Sequence, residues 1–117
     1  MSLAADVIVA IVALLHLYFL VLEMFLWDKP TGLRTFGQTS EQAAATKVLA
    51  ANQGLYNGFL AAGLVWGLTL GTAGLSVKVF FLLCVVVAGV FGAATANRRI
   101  LFVQALPAAL GLVLLGL

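Results

Sequence analysis

The chain has 117 residues, 64% hydrophobic and 9% charged, with a formal net charge of +2 and a mean hydropathy of +1.19. Soluble domains carry about 25% charged residues, and a chain this small cannot hide so much apolar surface in a core of its own. An ordinary soluble domain is therefore excluded, and without a basic domain the small positive charge gives no support to a nucleic-acid partner. The lipid bilayer is the expected partner.

A membrane-crossing helix needs about 20 mostly apolar residues, and four such spans can be drawn. The first runs from about Leu3 to Trp27, where Asp28, Lys29, Pro30, Thr31 and Gly32 end it. It lacks the basic n-region and cleavage pattern of a signal peptide and is read as retained. The second helix is predicted over 41–70, its N-cap Ser40 followed by the acid Glu41. Its apolar part begins at Val48, and Gly71 to Gly74 separate it from the third helix, predicted over 77–96. A tight turn at Asn97, Arg98 and Arg99 leads to a fourth helix over 100–117, in which Pro107 frees a backbone carbonyl and predicts a kink. Short links between helices favour antiparallel neighbours. The expected fold is thus all-α, a single four-transmembrane-helix antiparallel bundle.

Orientation follows from the cations. One side holds Lys29, Arg34, Lys47, Arg98 and Arg99, and the other only Lys78. The positive-inside rule then puts the loop after each odd-numbered helix in the cytoplasm, with both termini outside the cytoplasmic membrane. Asp6 falls at the outer end and is expected to be solvated.

Polar residues concentrate toward the cytoplasmic half. His16 and Glu23 are two turns apart on one face of the first helix. His16 lies roughly 16 Å along the axis from Trp27, and Glu23 about one turn from it. Ionisable groups in hydrocarbon are costly and usually mark a functional site. The second helix carries Asn52, Gln53, Tyr56 and Asn57, spread over about 140° of its circumference, wide enough to wall a cavity. Gln104 opens the fourth helix at the same level. Plainer readings stand beside this one. Glu23 pairs with Arg98 or Arg99 at the membrane rim, or His16 bonds to Tyr56 or Asn57 and ties two helices together.

Small residues recur every four positions, at Ala50, Gly54, Gly58 and Ala62 and again at Ala88, Gly92 and Ala96. Such stripes let helix backbones approach closely, either within one bundle or across a homodimer seam.

No metal site is expected, because zinc wants three or four Cys, His, Asp or Glu ligands. His16 and Glu23 are alone at their level, while Cys84 sits among apolar residues of another helix. No serine or cysteine nucleophile stands beside His16, and no glycine-rich phosphate loop or other cofactor signature is present. A proton relay through His16 and Glu23 is permitted.

Two strings resemble the signature of a bacterial family of small integral membrane proteins labelled domain of unknown function 1304. They are His16-Leu-Tyr-Phe-Leu-Val-Leu-Glu23-Met-Phe-Leu-Trp27 and Asn52-Gln-Gly-Leu-Tyr-Asn-Gly-Phe-Leu-Ala-Ala-Gly63. Gly92-Ala-Ala-Thr95 followed by Gln104-Ala-Leu-Pro107-Ala108 extends the likeness over nearly the whole chain. The resemblance implies a shared polar constellation and no assigned activity. The leading expectation is binding or transport of a small polar or amphiphilic molecule, with His16, Glu23, Asn52, Gln53, Tyr56, Asn57 and Gln104 lining a cytoplasm-facing pocket. An intramembrane enzyme using His16 as acid/base, and a structural or partner-binding membrane protein, are the alternatives.

Overall fold

The computed structural model describes residues 2–116, which hold helices and turns and no strand. α1 is Leu3–Met24, α2 Pro30–Phe36, α3 Ser40–Thr69, α4 Leu75–Thr95 and α5 Leu106–Leu114. A 3₁₀ turn, Gly71–Gly74, precedes α4, and a wide π turn, Leu101–Ala105, precedes α5. Among the described residues two helices, Leu3–Met24 and Gly71–Thr95, are long and apolar enough to cross a membrane. A shorter apolar helix covers Leu101–Leu114.

Each boundary has a local cause. The Ser2 hydroxyl accepts the Ala5 N–H at 3.1 Å and caps α1. At its far end the N–H groups of Phe25 and Leu26 both reach back to the Val21 carbonyl, at 3.0 and 3.2 Å. α1 therefore stops three residues before Trp27, where sequence reasoning carries it on. The segment expected to be a plain break contains α2. Pro30 opens it after an extended Lys29 (φ −96°, ψ 163°), and Gly37 closes it in the left-handed region at φ 60°.

The cap of α3 lies one residue before the expected Ser40. The Gln42 N–H donates to the Thr39 hydroxyl at 3.1 Å, and the Thr39 N–H donates to Gln42 Oε1 at 2.9 Å. This reciprocal capping box needs Gln at the third helical position, which Thr39 has and Ser40 lacks. Thr39→Ala should cost about 1 kcal/mol of stability and Ser40→Ala little; equal melting temperatures for the two variants would refute the assignment.

The turn between α4 and the last helix is as tight as its sequence suggests. Asn97 Oδ1 accepts the Arg99 N–H at 2.9 Å. Pro107, which donates no backbone hydrogen bond, is the second residue past the π turn, where the Leu106 N–H reaches Leu101 O. The helix meets its proline by widening.

The residues form two compact units. A hairpin unit, Leu15–Phe59, holds the end of α1, α2 and the first part of α3. In it α1 and α3 run antiparallel, because Glu23 meets Asn57 while Trp27 meets Thr46 and Asp28 meets Lys47. A two-segment unit joins Met1–Leu14 to Leu60–Leu117. Its core is Val9, Val12 and Ala13 of α1, Leu64 of α3, Leu82 and Val85 of α4, and Ala108 of α5.

Candidate functional site

The hairpin unit brings three of the sequence-predicted residues into a buried setting. Glu23 and Asn57 are 6% and 8% exposed, and the Asn57 amide donates to Glu23 Oε1 at 2.5 Å. Each group answers the other's need, since a buried carboxylate wants a donor and a buried amide an acceptor. Gly54, one turn below Asn57, gives α1 room to approach. A Cβ there would stand 2.6 Å from Met24 Cγ and 3.1 Å from Glu23 Cβ. Gly58 plays the same part against Leu20. The small residues that read as a packing stripe thus seat the carboxylate beside its amide.

His16 lies two turns back on the same face of α1 and is fully buried. Its ring meets Phe19 edge-on with centroids 5.4 Å apart. About 10 Å of helix axis separates His16 from Glu23, so the two define an elongated polar line rather than a contacting pair.

Glu23 lies farther from the Trp27 end of the hairpin than a continuous helix would place it. Because α1 ends at Met24, the chain reaches Trp27 through turns instead of one more helical turn. The Trp27 indole donates to the Thr46 hydroxyl at 3.1 Å. Measured along α3, Asn57 and therefore Glu23 lie about 16 Å beyond Thr46. The polar end is completed by an ion pair of Lys47 with Asp28 at 3.0 Å and by Trp27 against Phe36, centroids 4.8 Å apart. The Lys47 ammonium holds the Asp28 carboxyl below its ordinary range, although a pair this exposed adds little stability.

The remaining predicted residues are placed differently. Asn52, Gln53 and Tyr56 are exposed on α3, so only Asn57 of that group turns inward toward α1. Tyr56 stacks loosely on Phe59, centroids 6.0 Å apart. Gln104 belongs to the two-segment unit, half-buried in the π turn.

One polar pair was not anticipated at all. Lys78, fully buried on α4, sends its ammonium to Asp6 Oδ1 at 3.0 Å and to the Gly71 carbonyl at 3.5 Å. Asp6, expected to be solvated, is instead the counter-ion of a buried lysine. The clue in the sequence is that Asp6 and Lys78 are the charges assigned to one end of their helices, where each is the other's natural partner. Gly67 makes room for the lysine stem, since a Cβ there would come within 2.8 Å of Lys78 Cγ.

Comparison with known proteins gives a family and a relative. A family model described as "Protein of unknown function (DUF1304)" matches residues 10–116. The "Uncharacterized protein YpaA" of Lactococcus lactis subsp. lactis (strain IL1403) is 29% identical over 106 residues, which cover 89% of each chain. No solved structure matches.

Proposed function

The chain belongs to the DUF1304 family of proteins of unknown function, and from that premise we propose a multi-span membrane protein that binds a small polar or amphiphilic molecule at Glu23 and Asn57. The observation that supports this most directly is the burial of a carboxylate, its amide partner and an imidazole along one line of the hairpin unit. Ionisable groups at such depth in a membrane helix are functional by default, because a purely packing role is filled more cheaply by apolar residues. In this reading α3 and the helix ending at Leu114 join the two strongly apolar helices as four antiparallel spans. The five-to-one distribution of lysine and arginine puts the polar end of the hairpin in the cytoplasm and both termini outside. Glu23 recognises a donor or cationic group, Asn57 aligns it, and His16 receives the far end of the molecule or exchanges a proton with it. Transport follows if the same groups are reached in turn from the two sides.

Glu23→Gln is the sharpest test, since glutamine still accepts the Asn57 hydrogen bond while losing the charge. Hydrogen bonds to charged groups contribute about 1.5–3 kcal/mol, so this variant should bind roughly 10- to 100-fold more weakly and melt close to the parent. The measurement is a thermal-shift screen of the detergent-purified protein against polar and amphiphilic metabolites. If no compound stabilises the parent, or if Glu23→Gln is stabilised equally by the same compound, the reading is wrong.

A further inference from the structure

Asn52 and Tyr56 present an amide and a phenol on an otherwise apolar outer face of α3, with the exposed Gln53 beside it. Val48, Asn52, Tyr56 and Phe59 lie within about 80° of one another on the helix, and all four are exposed. Among the described residues, the side chains of Asn52, Gln53 and Tyr56 make no hydrogen bond. Gly54 and Gly58, on the opposite side of α3, are already occupied by α1 within the hairpin unit.

Depth makes this face unusual. Trp27 with Thr46, and Asp28 with Lys47, mark the polar end of the hairpin. With α3 read as a span and Lys47 at the edge of the hydrocarbon, Asn52 lies about 7.5 Å and Tyr56 about 13.5 Å beyond it along the helix, within the half-thickness of a core about 30 Å across. Acyl chains offer these groups neither donor nor acceptor, whereas another protein helix offers both. An amide carries donors and an acceptor together, so a face centred on Asn52 is complementary to a two-fold-related copy of itself. Val48, Leu49 and Phe59 supply apolar contact around the amides.

We propose that this face of α3 is a homodimer seam, with the Asn52 amides of two copies hydrogen-bonded across the two-fold axis and Tyr56 flanking them. The proposal rests on the membrane reading above and is independent of what the Glu23 site binds.

The test uses the full chain in native membranes. Asn52→Cys in a Cys84→Ser background should form a disulfide-linked dimer on mild oxidation, whereas Val87→Cys on the exposed face of α4 should not. Native mass spectrometry of the otherwise unmodified protein should show a dimer that Asn52→Ala combined with Tyr56→Phe reduces to monomer. Glu23→Gln should stay dimeric even where ligand binding is lost. A chain that resists alkaline extraction yet is monomeric and does not cross-link at Asn52 overturns the seam and leaves the membrane reading standing. A chain released by alkaline extraction overturns both. A monomer that keeps a bound phospholipid, lost in Asn52→Ala, overturns the seam in favour of a lipid site.

Discussion

Asp6→Ala should lower the stability of the two-segment unit by about 2 kcal/mol, while Lys78→Met should leave it near the parent value. Lys78 is fully enclosed, and its ammonium depends on Asp6 and the Gly71 carbonyl. Removing one partner of a buried ion pair strands the other charge and typically costs 3–5 kcal/mol, whereas replacing the buried member by an apolar residue of similar volume is often neutral. The lower figure is used for Asp6 because its side chain is 39% exposed, so water screens part of the interaction. The asymmetry separates a strained buried cation from simple loss of contacts. Thermal unfolding in detergent measures it, and equal losses from both variants would show that the pair adds stability of its own.

Gly89→Val should be the most damaging single substitution within α4, at about 3 kcal/mol, the upper end of what overpacking costs. A Cβ at Gly89 would stand 2.7 Å from the Ala105 backbone nitrogen and 2.8 Å from the Ala105 Cβ. Neither atom belongs to a flexible side chain, so only a shift of one helix against the other relieves the clash. Elsewhere in a helix, replacing glycine by alanine stabilises by up to about 1 kcal/mol through propensity. Gly89→Ala should therefore show the opposite sign to that general rule. A variant at Gly89 that melts with or above the parent would mean that α4 does not lie on the π turn as described.

The all-α character was legible because long apolar runs separated by Gly, Pro and polar clusters leave few other options. Rotation about the helix axes was not legible. In a chain this apolar, buried and outward-facing positions carry the same kinds of side chain, so α3 has no apolar stripe to orient it. Asn52, Gln53, Tyr56 and Asn57 therefore looked like one wall, and only the approach of α1 over Gly54 and Gly58 singles out Asn57. The same uncertainty hid the Asp6–Lys78 pair, whose members are 72 residues apart in the chain.

Two helix ends were misread, one set by a side chain and one by the backbone. Thr39 rather than Ser40 caps α3 because Gln42 returns the hydrogen bond. The stop of α1 at Met24 rests on two N–H groups sharing the Val21 carbonyl, which has no signature in residue type. With α1 ending there, Glu23 meets Asn57 of α3. His16 kept its place on the buried face.

Both acids of α1 find their partners late in the chain, Glu23 at Asn57, 34 residues on, and Asp6 at Lys78, 72 residues on. At a synthesis rate of about 5–20 residues per second, Glu23 waits roughly 2–7 s for its amide and Asp6 roughly 4–14 s for its lysine. The first helix thus leaves the ribosome carrying two carboxyl groups whose partners have not yet been made. Until α3 and α4 have been made, both carboxyl groups stand without the partners they have in the folded chain.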